Sequence, residues 1–269
     1  MITTVYLKTV DGVMRMVADQ ERNPDINRIR SVNYYRGLPN AAFGMVTGLR
    51  RNCKDKHKLL EPSILENFTK YASIEDPTLK DSVWKQMIVG QHYGLPTRLL
   101  DWTYSPLVAL HFAVSEAQYD DLSAHDCVVW RMNAPDVNRN LPEKYRLALK
   151  AKGSNVFSVD TLSRVAPRIE DYDADMGNSA FVNLEPPSLD LRIVNQYSFF
   201  SVVPSGMEDV EQFLDAHTSE TVRYIIDKAI RWDIRDLLDQ WNINERIIYP
   251  GLDGLTRLLA RHYFVRQEN

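Results

Sequence analysis

Residues 105–114 read SPLVALHFAV, and no other stretch restricts the fold as tightly. Ser105 and Pro106 form an N-cap and first-turn pair, because a serine hydroxyl accepts from a free backbone N–H and a proline at the first helical position lacks the N–H that would go unpaired. The helix they start carries Leu107, Leu110 and Val114, with Val108 and Phe112 alongside, so apolar side chains cover most of its circumference. Such a helix is stable only when nearly fully buried. His111 within it reads as a core histidine with its hydrogen bonds satisfied.

The segment before this helix, VGQHYGLPTRLLDWTY from Val89, is dense in polar and aromatic groups. A turn needs only its Gly and Pro. The excess of His92, Tyr93, Arg98, Asp101, Trp102 and Thr103 predicts a site. Asp101 follows two leucines and precedes a tryptophan, and the expectation is a carboxylate withdrawn from water, either paired with Arg98 or Arg36 or capping a nearby turn.

Mixed strands and helices are predicted elsewhere. VYLKTV and DGVMRMV around Asp11-Gly12 fit a hairpin or a strand followed by a helix. Val32, Tyr34 and Tyr35 are strand formers, and Gly37, Pro39 and Asn40 end that run, so Arg36 closes a strand beside a glycine. Residues 57–72 predict a helix in two pieces, the second starting at Pro62 and Ser63, and residues 78–90 a helix with Leu79, Val83, Trp84 and Met87 inward and Gly90 as its end. Strands are predicted at 126–132, in SAFVNLEPP, in NQYSFFSVVPSG and at 222–229; helices in IRDLLDQWNI, with Ile234, Leu237, Leu238 and Trp241 as its stripe, and in GLDGLTRLLARHYF. Residues 141–180 predict a helix and then a loop. Without βαβ regularity the fold class is α+β.

The chain of 269 residues, 44% hydrophobic and 25% charged, has the composition of a globular protein. Its net charge of -4 disfavours a general nucleic-acid coat and leaves room for a local basic cleft. Cys53 and Cys127 match no metal-ligand spacing, no histidine pair has zinc spacing, and no metal site is expected; reduced thiols fit a cytoplasmic protein. The N-terminus lacks the features of a secretory signal, and no apolar stretch approaches the roughly 18 residues of a membrane helix, so no membrane association is expected. Gly-rich nucleotide loops and a nucleophile elbow are absent from the sequence.

YYRGLP at 34–39, QHYGLPTRLLDWTYSPLVALHFA at 91–113, RIVNQYSFF at 192–200 and IIYPGLDGLTRLL at 247–259 resemble, in order, the landmarks of the FRG domain family. The resemblance runs over about residues 32–260, so the chain is read as one FRG-type domain over 1–269. It also implies a bacterial or phage setting close to mobile elements and defence loci.

The same stretches are similar, more loosely, to mono-ADP-ribosyltransferases of the toxin type. Those enzymes have an Arg ending a strand, a Ser-Thr-Ser strand before an Ala-x-x-Phe-Ala helix, and a Glu- or Gln-bearing motif opening a late strand. Here Arg36, the triplet Asp101-Trp102-Thr103, the helix residues Ala109, Phe112 and Ala113, and Gln196 stand at those places. This similarity implies a mixed, antiparallel split β-sheet core with flanking helices, NAD as substrate, and ADP-ribose transfer to a nucleic acid or protein by a toxin or defence effector with a neutralising antitoxin. The alternative is a degenerate module that binds a nucleotide or nucleic acid without turnover.

Breaking the nicotinamide–ribose bond passes through an oxocarbenium-like state, and nicotinamide leaves as a neutral molecule without a general acid. The protein must clamp phosphate, hold nicotinamide and stabilise positive charge on the ribose. On the resemblance, Arg36 beside Gly37 and Arg98 are the phosphate-binding candidates, since a guanidinium fork engages phosphate oxygens in pairs and a glycine permits close approach. Tyr93, Tyr35 and Trp102 are candidates for an aromatic wall, with core packing as the alternative, and Thr103 joins the cofactor-binding set. His92, as donor or base or else as a helix cap, Asp101 and Gln196 are the catalytic candidates; Glu185 is a fallback carboxylate. A neutral Gln196 binds a hydroxyl but gives little charge stabilisation.

Overall fold

In a computed structural model, which describes residues 1–115 and 119–266, the strands are β1 (Thr3–Leu7), β2 (Arg22–Asn23), β3 (Arg28–Ile29), β4 (Asn33–Leu38), β5 (Leu99–Thr103), β6 (Cys127–Asn133), β7 (Phe157–Ser158), β8 (Val182–Glu185), β9 (Ser198–Val202) and β10 (Val222–Ile226). The helices are α1 (Val10–Ala18), α2 (Gly48–Cys53), α3 (His57–Ala72), α4 (Val83–His92), α5 (Pro106–Ala113), α6 (Ala134–Asn138), α7 (Glu143–Lys152), α8 (Val159–Val165), α9 (Ile169–Met176), α10 (Leu191–Gln196), α11 (Val210–His217), α12 (Arg231–Gln240), α13 (Glu245–Ile248) and α14 (Leu252–His262). The last three residues of the predicted domain and 116–118 lie outside the described residues.

One mixed sheet of eight strands, in the order β1-β10-β6-β4-β5-β9-β8-β7, organises the chain, and β2 and β3 form a separate small ribbon. The outer pairs β1–β10 and β7–β8 are parallel and the inner pairs antiparallel, which makes the protein α+β as expected. Helices cover the sheet on both faces. In β6 the side chains Val128, Trp130 and Met132 enter one apolar cluster, while Cys127 and Val129 enter another. Two-sided burial explains why this strand reads as an almost unbroken apolar run.

The buried helix α5 lies on β4. Ser105 caps it, its hydroxyl accepting from the Val108 N–H, and Ala109, Leu110 and Ala113 are fully buried. The approach is very close. A Cβ at Gly37 would sit 1.8 Å from the Ala109 carbonyl oxygen and 2.7 Å from the Ala113 nitrogen. Gly37 and the small residues Ala109 and Ala113 therefore answer one another in packing.

The sheet parts between β4 and β5. Each is fully paired on its outer side, β4 with β6 over Asn33–Leu38 and β5 with β9 over Leu99–Thr103. Between themselves they share only the pair Tyr35–Thr103. The sheet is thus two halves joined at one rung, with a gap beyond it.

The N-terminal segment takes the second of its two expected forms, a strand and then a helix, with Asp11 and Gly12 inside α1, which Thr9 caps. Several other local expectations are corrected. Residues 57–72 form one helix with Pro62 inside it. Pro62 removes one backbone hydrogen bond, and the helix is held against the body of the protein by buried Leu65 and by the Glu61–Arg98 ion pair. The predicted 78–90 helix is a 3-10 turn (Pro77–Asp81) followed by α4, which continues past Gly90 to His92; the chain turns at Gly94, with φ of 89°. Residues 141–180 hold three helices instead of one and a loop. Gln196 does not open a strand; it ends α10, which Asp190 caps at its start, and Tyr197 in the left-handed conformation with φ of 48° turns the chain into β9. Trp241 lies just past α12 and is exposed, because the inward face of that helix is completed by Arg231 and Arg235 along with Ile234 and Leu238.

Candidate functional site

The gap between β4 and β5 opens into a hollow of about 230 Å³ lined by Arg36, Gly37, Asp101, Thr103 and Gln196, with Tyr35, Trp102, Phe112, Arg192 and Ser198 completing it. Five of the eight residues singled out for binding or catalysis thus share one cavity: Arg36, Gly37, Asp101, Thr103 and Gln196.

Where the strands part, the main-chain groups of β5 facing β4 lose their ladder partners. Arg36 supplies one: its Nη1 donates to the Asp101 carbonyl oxygen at 2.6 Å and lies 3.7 Å from the Asp101 carboxylate. Its Nε is buried without a hydrogen-bond partner. Burial pulls the guanidinium below its usual range, Asp101 pulls it back up, and Arg51 adds a repelling positive field. The charge of Arg36 is therefore incompletely compensated, a setting that favours an anion.

Asp101 itself differs from expectation. It is the one outward residue of an otherwise buried β5, its side chain is 63% exposed, and it stands in the hollow instead of being withdrawn from water. It is nonetheless held. Gln91 Nε2 donates to Asp101 Oδ1 at 2.9 Å, and Gln91 Oε1 accepts from the Thr97 hydroxyl, which in turn accepts from the Leu99 N–H. The dense polar block 91–101 is thus a hydrogen-bonded chain that ends on Arg36. Gln91 was missed in the sequence because an amide on a helix carries no chemical signature of its own.

Thr103 is buried; its hydroxyl donates to the Gln196 carbonyl at 2.7 Å and accepts from the Ser105 N–H at 3.1 Å. It ties the end of β5 to α10 and to the start of α5. Gln196 Nε2 donates to the Ile248 carbonyl at 3.0 Å, and Asn195 Nδ2 to the Ile247 carbonyl at 2.8 Å. The landmarks RIVNQYSFF and IIYPG therefore touch: α10 is strapped to α13 by two amides. Gly37 lines the hollow, but the crossing of α5 is what forbids a side chain there.

Three predicted residues stand elsewhere. Arg98 is 4% exposed and lies in a buried ion-pair cluster: Nε donates to Glu61 Oε1 at 2.7 Å, Nη2 to Glu61 Oε2, and Nη1 to Asp173 Oδ1 at 2.6 Å. Burial opposes its charge, and the two carboxylates more than restore it. Its donors are spent on structure, so it is no phosphate clamp in the hollow. His92 pairs through Nε2 with Asp190 at 2.6 Å and, with Tyr93, lines a separate groove between α3 and α4. Tyr93 follows α4 and is 78% exposed, which removes it from any wall beside Arg36.

Of the aromatic candidates, Tyr35 and Trp102 are core residues that border the hollow; the Tyr35 hydroxyl meets Gln20, whose Nε2 donates to it at 3.0 Å. His111 is fully buried, as expected, with Nδ1 2.8 Å from Arg235 Nη1, but its Nε2 has no hydrogen-bond partner, so the ring is only half satisfied. Glu185 ends β8, exposed and outside the hollow. Arg192 lines the hollow and was not anticipated; its spacing from Gln196 has no meaning until α10 is folded. Among the described residues no group of three or more His, Cys, Asp or Glu is placed to hold a metal ion, and no helix is long and apolar enough to cross a membrane.

Fold and site define an α+β protein whose central sheet parts over a polar, arginine-bearing hollow. Residues 31–122 match the FRG domain, and the chain carries that domain. The matched stretch runs from just before β4 to beyond α5 and so includes Arg36 and Asp101, while Arg192 and Gln196 lie outside it. No curated protein and no solved structure shows a significant match to the chain.

Proposed function

We propose that the hollow binds the nicotinamide–ribose end of NAD and that the protein transfers ADP-ribose to a nucleic acid or protein. The observation that supports this best is the convergence of Arg36, the strand residues 101–103 and Gln196, far apart in sequence, on one cavity at the parting of the sheet.

In this reading Arg36 attracts the phosphates, using donors its bond to the Asp101 carbonyl leaves free. Trp102 and Phe112 border the ring. The C1′–nicotinamide bond breaks with its electron pair leaving on nicotinamide. The acceptor nucleophile then bonds to C1′, and its proton passes to Asp101 or to water. Asp101 is the one carboxylate among the described lining residues, so it carries the stabilisation of ribose positive charge that a neutral Gln196 cannot provide. His92 has no catalytic place in this scheme, because its pair with Asp190 holds the ring in the neighbouring groove.

The test is incubation of the full chain with labelled NAD and cell lysate. Nicotinamide release and transferred label, both lost in Arg36→Ala and reduced at least about 100-fold in Asp101→Asn, support the reading. Absence of both from the wild-type protein removes it. Growth arrest on expression, relieved by Arg36→Ala and by a co-expressed neutralising protein, is the corresponding expectation for a toxin.

A second reading, binding without turnover, is favoured by one detail: the neutral Gln196 amide is tied to the Ile248 carbonyl, so the motif position offers the ligand neither charge nor a freely placed donor. It predicts a thermal shift with ADP-ribose and no nicotinamide release.

A further inference from the structure

Arg192 stands at the divide between the hollow and a much larger concavity. It lines the hollow, and its Nη1 makes a long contact, 3.5 Å, to the carbonyl oxygen of His92. His92 lines the groove of about 1110 Å³ beside α3 and α4, as does Asp190, which pairs with it two positions before Arg192. The two concavities thus meet at one ridge formed by His92, Asp190 and Arg192.

The partners of Arg192 are a carbonyl oxygen and the face of Tyr249, whose ring centroid is 5.2 Å from the guanidinium carbon; neither carries a formal negative charge. Arg36 has one carboxylate at 3.7 Å and an unpartnered Nε. Among the described residues, the hollow therefore holds two guanidinium groups against the single carboxylate of Asp101, and the carboxylate on the ridge, Asp190, is engaged by His92 at 2.6 Å. That balance calls for an anion.

Size and lining point the same way. A cavity of about 230 Å³ is below the usual range for ligand pockets, roughly 300–1,000 Å³, and holds a ring and a sugar but not a dinucleotide. The groove is lined by apolar and aromatic side chains such as Leu60, Phe68, Tyr71 and Leu95; its carboxylates are Glu75, Asp76 and Asp190, and among the described residues it has no lysine or arginine. It suits an uncharged aromatic group and repels a nucleic-acid backbone.

We infer that one diphosphate-linked dinucleotide spans both concavities, its reacting end in the hollow, its diphosphate across the ridge between Arg36 and Arg192, and its purine nucleoside in the groove. Arg192 is then the second phosphate-binding residue, the role sequence reasoning assigned to Arg98. This rests on the NAD reading of the hollow and deepens it by naming the phosphate grip and the nucleoside compartment.

The experiment is calorimetric titration of the full chain with ADP-ribose, inorganic pyrophosphate, nicotinamide riboside, adenosine and a short RNA, with melting curves as the folding control. Arg192→Gln is expected to weaken ADP-ribose and pyrophosphate at least tenfold and leave nicotinamide riboside within twofold; Arg192→Lys, which keeps the charge, falls between and serves if the Gln variant is unstable. Ala72→Trp, which fills the groove, is expected to weaken ADP-ribose and adenosine but not pyrophosphate. Unchanged ADP-ribose binding in Arg192→Gln, with binding lost in Arg36→Ala, overturns the inference and leaves the NAD reading standing. Equal weakening of every ligand assigns Arg192 a structural role and overturns it too. Wild-type protein that binds RNA through Arg192 but none of the small ligands removes both readings.

Discussion

Arg36 Nη1 donates to the main-chain oxygen of Asp101 at 2.6 Å across the gap where β4 and β5 separate. A side chain here replaces a missing ladder bond, and the same guanidinium faces the hollow. In the proposed function Arg36 therefore couples stability to binding. Arg36→Lys, which cannot keep both geometries, is expected to lower stability by about 1 kcal/mol and ADP-ribose affinity at least tenfold, read by urea denaturation and titration. Unchanged affinity would detach Arg36 from the ligand.

Gly37 and Gly94 predict opposite severities. A methyl group at Gly37 would lie 1.8 Å from the Ala109 carbonyl, inside the contact of β4 with α5. Gly37→Ala is expected to cost about 3 kcal/mol or more, on the order of the worst overpacking effects, and to give aggregated protein. Gly94 has φ of 89° and open space around it, so Gly94→Ala should cost about 1–2 kcal/mol of backbone strain only. Comparison of soluble yield and melting temperature checks the pair.

Removing one partner of a buried ion pair strands the other. Arg98→Met leaves Glu61, 4% exposed, without its cation, and should destabilise by about 3–5 kcal/mol. Whatever fraction remains folded should bind ADP-ribose as tightly as the parent. A tenfold loss of affinity in folded protein would restore Arg98 as a ligand contact.

Gln196→Glu tests whether the motif position awaits a carboxylate. The amide donates to the Ile248 carbonyl, and a carboxylate there would face an acceptor. The expected result is a loss of about 1–3 kcal/mol and no gain in nicotinamide release. Faster nicotinamide release would show that the side chain can leave its strap and enter the proposed reaction.

His111 gives the protein a pH dependence. Burial, and then the nearby Arg235, push its imidazole down to about 3, against the weaker opposing field of Glu245. The folded state thus holds a neutral ring while the unfolded chain takes up a proton near 6.5. Between those values the unfolded state binds more protons, so this contribution is intact above about pH 6.5 and is lost as pH falls toward 3. Denaturation midpoints measured across that window should fall with pH, and less so in His111→Phe if that variant folds. A flat profile would contradict the assignment.

The burial of α5, its Ser105-Pro106 start, the strands at 34–38 and 127–133 and the grouping of motif residues around them follow from local chemistry: cap geometry, apolar coverage and turn residues act over a few positions. The family resemblance singled out Arg36, Asp101, Thr103 and Gln196, and the fold brings these four to one hollow. Which cations face the hollow was a different matter. Arg36 and Arg98 are equal as sequence, and only the docking of α3 and α9 gave Arg98 two carboxylates, Glu61 and Asp173, while the parting of β4 from β5 left Arg36 at a cavity and the capping of α10 brought Arg192 beside it. A guanidinium takes whatever acceptor the fold presents, and that choice depends on residues tens to more than a hundred positions away.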